Sequence, residues 1–147
     1  MTPEDIDTVQ RSWAELRRQR PALDGALTRQ YKLLATSPIP ASTRSRWLLD
    51  AIAELVDLLP VPSRLADRAR ALGETWPDPL VAPSFANEGR AWLAAAAECQ
   101  RTWSPAVAAA WRQAWLLLSD VLAAEALSPF ENPTNQTNPT NATRNLT

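Results

Sequence analysis

Residues 104–122 read SPAVAAAWRQAWLLLSDVL, and this stretch decides the fold class. Ser104 is of a type that caps helices, and Pro105 suits the first helical position because the N–H it lacks has no partner there. Apolar side chains then recur every three or four residues, which is the period of an α-helix. This stripe comprises Val107, Trp111, Ala114, Trp115, Leu118 and Leu122. Charged residues interrupt the apolar run from 106 to 127, so we predict a buried helix and not a membrane span.

The same period extends back to the start of the chain. Thr2 and Pro3 predict the start of a first helix, and the later helices are separated by prolines, which cannot continue a helix. The apolar stripes predict a third helix that reaches Leu59, a helix from Phe85 to Trp103, and the last two helices as the longest. No segment alternates with period two, so strands are not expected. We predict an all-α fold of about six main helices in one domain, residues 1–130.

The composition excludes several classes of function. Fifteen basic and 16 acidic residues give a net charge of -1, so the chain lacks the positive field that holds nucleic-acid phosphates. The chain has no histidine and one cysteine, which excludes histidine catalysis, histidine metal sites, intrachain disulfides and cysteine zinc clusters. No candidate nucleophile is paired with a base, so we predict that the protein is not an enzyme. With no histidine, one cysteine and no second acidic cluster, we also predict no metal site.

The two ends of the chain predict location and domain organisation. The first residues lack the basic start and apolar run of a signal peptide, so we predict a cytoplasmic, reduced and bacterial protein. Residues 131–147 are rich in Asn, Thr and Pro and contain a near repeat, 132–137 and 138–143. Such a polar tract buries too little apolar area to offset its ordering entropy, so we predict a disordered tail.

Four segments resemble, in order, helices of the globin family, and more closely the bacterial single-domain globins related to flavohaemoglobins. Residues 3–13 resemble the first globin helix with its usual tryptophan, and residues 49–58 resemble the helix on the distal side of the haem. Residues 64–73 resemble the helix that presents the proximal histidine, and residues 103–111 resemble the start of the final helix. The resemblance covers about residues 3 to 127 and implies a globin-like fold.

The positions that hold haem in that family carry other residues here. The proximal histidine corresponds to Trp76, and an indole nitrogen is a hydrogen-bond donor with no lone pair for iron. The distal glutamine or histidine corresponds to Arg44, the distal tyrosine to Leu27, and the tyrosine that supports the proximal histidine to Phe85. Because globins hold iron by an axial protein ligand, the resemblance implies a degenerate haem pocket.

Without haem, the same chamber becomes a candidate apolar pocket with Arg44 at its rim. Its predicted lining is Leu27, Leu48, Ile52, Leu55, Leu72, Trp76 and Phe85. At the rim, the planar guanidinium of Arg44 suits a carboxylate. Simpler interpretations exist: Arg44 is a solvated residue at a helix start, Trp76 fills the space where haem sits in the family, and Cys99 is a small core residue.

The resemblance implies a haem-free binding, sensory or regulatory module, either packed shut or holding a fatty acid or another apolar small molecule. No cofactor is expected under this hypothesis. The alternative is a haem-binding globin with an oxygen or redox function that uses an unusual or absent axial ligand. A third hypothesis is a homodimer through the last two helices. We predict no nucleic-acid partner and no membrane span.

Overall fold

A computed structural model describes residues 1–34, 39–75 and 85–120, with the side chains of 85–87 excepted. Within these ranges every regular element is helical and none is a strand, which confirms the predicted all-α fold. The helices are α1 (Pro3–Leu16), α2 (Arg20–Leu34), α3 (Ala41–Leu55), α4 (Pro62–Gly73), α5 (Phe85–Cys99) and α6 (105–120). Short 3-10 turns, Arg17–Gln19 and Val56–Leu58, follow α1 and α3. The predicted tail, 131–147, lies outside the described residues.

Local sequence signals place the starts of α1 and α6 where they were predicted. Thr2 caps α1 through a capping box: its hydroxyl accepts from the Asp5 backbone N–H, and the Asp5 carboxylate accepts from the Thr2 backbone N–H, both at 3.1 Å. Pro3 occupies the first turn of α1. At the other end of the chain, the Ser104 hydroxyl accepts from the backbone N–H of Val107 at 3.2 Å, which confirms the predicted cap of α6.

Two of the predicted helix ends are wrong. Helix α5 ends at Cys99 and does not reach Trp103, which lies in the turn before α6 and packs half-buried against the core. With 15 residues, α5 is no longer than α2 or α3, so the prediction that the last two helices are the longest fails for α5. Helix α3 ends at Leu55, and the chain tightens into a 3-10 turn before the buried Leu59. Apolar periodicity marks buried positions, and a short turn can continue the period past the end of a helix.

The described core lies between all six helices. Among α1 to α5, the most extensive packing joins α2 to both α5 and α3, so α2 is the central helix of this group. Three tryptophans connect α1, α5 and α6: Trp92 packs at 6.2 Å from Trp13 and at 5.0 Å from Trp111, measured between ring centroids. The first of these contacts is tilted and the second is edge-to-face, and both add to the large apolar area that each indole buries.

A buried polar joint fixes α1 against the connection between α5 and α6. The Ser12 hydroxyl donates to the side-chain oxygen of Gln100 and accepts from the indole N–H of Trp111 at 2.8 Å. The Gln100 amide in turn donates to Thr102, whose hydroxyl donates to Glu15. Each buried polar group in the joint has a hydrogen-bond partner, and these bonds offset the cost of removing the groups from water.

Candidate functional site

Three polar side chains from three helices meet inside the core. Arg44 of α3 and Glu88 of α5 are only 8% and 1% exposed, and a guanidinium nitrogen lies 3.5 Å from Glu88 Oε1. The phenol of Tyr31, on α2, donates to the same carboxylate oxygen at 3.1 Å. The Arg44 guanidinium carbon also lies 4.5 Å from the centre of the Tyr31 ring, a cation–π contact. We call Tyr31, Arg44 and Glu88 the polar cluster.

The polar cluster forms at one end of its three helices. Tyr31 lies in the last turn of α2, while Arg44 and Glu88 lie in the first turns of α3 and α5. Free backbone N–H groups give a helix start a partial positive charge, which favours the carboxylate of Glu88 in that position. The site therefore depends on how the ends of α2, α3 and α5 come together.

Burial dominates the electrostatics of the polar cluster. Loss of solvent raises the pKa of Glu88 to about 7, and the opposing effects of Arg44 and the Tyr31 hydrogen bond only partly offset it. Burial, followed by the nearby Glu88 charge, raises the pKa of Tyr31, so the phenol keeps its proton. The carboxylate of Glu88 is thus the group in the polar cluster that can change charge near neutral pH.

Two buried polar atoms beside the polar cluster have no hydrogen-bond partner among the described residues. They are Glu88 Oε2 and the indole nitrogen of Trp92. Glu88 and Trp92 are four residues apart on α5, so their side chains lie on the same face of the helix. Buried donors and acceptors are nearly always paired in native proteins, so this pair is an unusual feature of the interior.

Five of the predicted lining residues share one hydrophobic core. Leu27, Leu48, Ile52 and Leu55 are at most 1% exposed, and Leu72 is 9% exposed. Two others fall outside the description: Trp76 lies in the segment between α4 and α5, and only the backbone of Phe85, the first residue of α5, is described. The prediction that all seven line one chamber therefore stays a prediction.

Arg44 is the predicted site residue whose surroundings the structure shows best. Its interpretation as a solvated residue at a helix start is wrong, because its side chain is buried against Glu88 and Tyr31. The sequence does contain a sign of this burial, since Arg44 lies one turn before Leu48 on the apolar face of α3.

Glu88 is the residue that the sequence analysis missed. It lies three residues after Phe85 and four before Trp92, which places it within the apolar stripe of α5. A carboxylate at a position where the helical period places apolar residues was the sequence signal that could have revealed this buried charge. Its partners lie 57 and 44 residues earlier in the chain, and no local pattern points to them.

Two described side chains that could ligate haem iron, Tyr31 and Cys99, lie in surroundings that disfavour their ionised forms. The chain has no histidine, and the Tyr31 phenol donates to Glu88 in a setting that disfavours its ionised form. Partial burial, followed by the charge of Glu98, raises the pKa of the Cys99 thiol, which disfavours the thiolate that ligates iron. Across the described ranges, no group of three or more Cys, Asp or Glu side chains comes together to hold a metal ion.

A cleft on the described surface involves a tryptophan. Trp47 of α3 is half-buried and donates its indole N–H to the Thr75 hydroxyl at 2.9 Å. Beside it, Arg68 of α4 binds Glu54 at 2.5 Å, and these residues line a cleft of about 400 Å³. The cleft is open, and its charged groups already have partners, Arg68 with Glu54 and Asp50 with Arg20 outside the cleft, so it is a weaker candidate site than the polar cluster.

Comparison with family models, curated proteins and solved structures finds no match for this chain. The globin resemblance thus stays a prediction, and the all-α architecture is the part of it that the structure shows. None of the helices in the described ranges is both long and apolar enough to cross a membrane.

Proposed function

We propose that this chain is a haem-free, globin-like binding or regulatory module that holds an amphiphile with its polar end at the polar cluster. The supporting observation is the burial of Arg44 beside Glu88 within a hydrophobic core. Removing two charges from water is costly, and apolar residues of similar volume often stabilise a core equally well. Stability alone is therefore a weak reason for burying the ion pair of Arg44 and Glu88. Binding the polar group of a ligand is a better reason.

Apolar residues next to the polar cluster suit the other half of an amphiphile. Leu27 lies one turn before Tyr31 on α2, and Leu48 lies one turn after Arg44 on α3, with Ile52 one turn further on. All three are buried in the core. An acyl chain along this row would gain apolar burial at about 25 cal/mol per Å².

Entry of such a ligand requires the core side chains to move apart, because they are in contact with one another in the structure described here. The ligand-bound and ligand-free states would then differ in the packing of α2, α3 and α5. A ligand that binds one packing state better than the other shifts the population between them, which is what a sensory module requires.

Native mass spectrometry of freshly purified protein, together with thermal shifts produced by decanoate and decanol, tests this proposal. We expect a bound small molecule, or a rise in melting temperature with one of the two amphiphiles. Arg44→Met should weaken the response, whereas Arg46→Met, an exposed position on the same helix, should retain it. A ligand-free spectrum and no thermal shift with either amphiphile would refute the proposal.

The haem alternative and the homodimer remain hypotheses of the sequence analysis. No feature of the described residues favours haem. A Soret band that survives gel filtration after expression with added haem would overturn the haem-free assignment. For the homodimer, the relevant feature is a pair of exposed leucines on α6, Leu116 and Leu117, which are 59% and 37% exposed.

A further inference from the structure

Hydrogen bonding to the carboxylate of Glu88 is one-sided. Oε1 receives the Tyr31 phenol at 3.1 Å and lies 3.5 Å from the Arg44 guanidinium, whereas Oε2 has no donor among the described residues. Both oxygens of an ionised carboxylate are acceptors, and burying one of them without a donor is unfavourable. When Glu88 is ionised, above its pKa of about 7, Oε2 therefore requires a donor that the described part of the chain does not supply.

The neighbouring indole of Trp92 also lacks a hydrogen-bond partner among the described residues, but as a donor. Trp92 is fully buried, and its N–H has no acceptor among the described residues. Its ring is held between Trp13 and Trp111, at interplanar angles of 52° and 66°, so turning the N–H toward Glu88 would disrupt both aromatic contacts. Glu88 and Trp92 are four residues apart on α5, so an acceptor and a donor that lack partners among the described residues lie on the same face of this helix.

The net charge of the polar cluster determines whether a charged or an uncharged group binds better beside Glu88. Among the described residues, the ionisable groups that face Glu88 are Arg44 from α3 and Tyr31 from α2. Arg44 and an ionised Glu88 sum to zero, and Tyr31 keeps its proton. A carboxylate added here would leave one buried negative charge without a counter-ion, whereas an uncharged group would leave the balance intact.

We propose that Glu88 Oε2 and the Trp92 indole N–H form a two-point site for an uncharged group that donates one hydrogen bond and accepts one, namely the hydroxyl of an alcohol. The hydroxyl hydrogen is donated to Oε2, and the hydroxyl oxygen accepts from the indole N–H. This inference rests on the proposed function and specifies the polar end of its ligand. A water molecule offers the same chemistry, so the test separates a structural water from an alcohol.

The experiment measures the affinity of the intact protein for three matched probes at about pH 8, above the pKa of Glu88. The probes are decanol, its isomer methyl nonyl ether, which accepts but cannot donate, and decanoate. A hydrogen bond to a charged group predicts that decanol binds about tenfold more tightly than the ether. Decanoate should bind more weakly than decanol because of its charge.

Variants on α5 assign the preference to particular atoms. Glu88→Gln should reduce the preference for decanol over the ether to about threefold, since a neutral acceptor forms a weaker bond. Glu98→Gln, an exposed position on the same helix, should leave the preference unchanged. Trp92→Phe should weaken decanol and ether alike, because both accept from the indole N–H. Circular dichroism checks that each variant folds.

The outcomes are distinguishable. Equal affinity for decanol and the ether would overturn the inference and leave Oε2 to a structural water, while the proposed function would stand. Tighter binding of decanoate than of decanol would overturn it in favour of an anionic head group, again with the proposed function intact. If no probe binds, both the proposed function and the inference are refuted. These results come from the intact protein and do not depend on whether a variant folds.

Discussion

Replacement of Glu88 by glutamine should change how the stability of the protein depends on pH. In the folded protein burial raises the pKa of Glu88 to about 7, against 4.5 for the group in water. Between these values the folded state holds a proton that the unfolded chain has lost. This proton contributes to the free energy of unfolding. The contribution is complete below the pKa of Glu88 in the unfolded chain, and it disappears as the pH rises through the pKa of Glu88 in the folded protein.

The magnitude follows from the two pKa values. At about 1.4 kcal/mol for each pH unit, the interval between 4.5 and about 7 corresponds to roughly 3 kcal/mol of unfolding free energy. Most of this change falls between about pH 5 and pH 8. Because Glu88 is almost fully buried, solvent does not screen the effect appreciably.

Urea unfolding, followed by circular dichroism at a series of pH values, measures this effect. The wild-type protein should lose roughly 3 kcal/mol more than Glu88→Gln over the whole interval, since glutamine does not titrate. The absolute stability of the variant should also fall, because Arg44 is left buried without a counter-ion. The slope with pH is therefore the informative quantity.

Glu98→Gln is the matched control, since Glu98 lies on the same helix and is exposed. This variant should reproduce the wild-type slope. Parallel pH profiles for the wild type and Glu88→Gln would refute the reasoning. So would a wild-type protein that gains stability relative to Glu88→Gln as the pH rises, because that sign requires a lowered pKa and dominance of Arg44 over burial.

Three further predictions concern packing and assembly. In Gly89→Ala the new Cβ would lie 2.5 Å from the Trp115 indole nitrogen, so urea unfolding should show a loss of about 1–3 kcal/mol. Gly25→Ala, with its nearest neighbour at 3.7 Å, should instead gain about 0.5–1 kcal/mol, and equal effects at both glycines would contradict the structure. Ser12→Ala leaves two buried partners without a hydrogen bond and should cost about 1–3 kcal/mol by the same assay; an unchanged midpoint would disprove the polar joint. If the last two helices form a dimer, light scattering should give a dimeric mass for the wild type and a monomeric mass for Leu116→Asp, whereas a monomeric wild type would rule the dimer out.

The all-α architecture was predictable because its signals are local. The capping box at Thr2 and the cap at Ser104 act within one turn, and proline interrupts a helix wherever it occurs. The errors arose where the same apolar period continued past a helix end. Trp103 is packed against the core from a turn, and nothing in its spacing distinguishes this from another turn of α5.

The candidate site was predictable only in part. Arg44 was identified as a candidate because the globin resemblance places it at the distal haem position, yet its burial and its partner were not foreseen. Glu88 was missed because a glutamate in a first helical turn is equally typical of a solvent-exposed helix start. The unpaired Trp92 N–H depends on ring orientation, which aromatic neighbours on two other helices determine.

The amino-acid sequence by itself determined which segments are helical and which face of each is apolar, since these properties depend on residues three or four positions apart. Tertiary structure alone decided that Tyr31, Arg44 and Glu88 share one buried site. Those residues are far apart along the chain, and they meet because the ends of α2, α3 and α5 converge when their apolar faces are buried together. Hydrophobic burial is not directional, so it brings helices together without specifying in the sequence which polar side chains will meet.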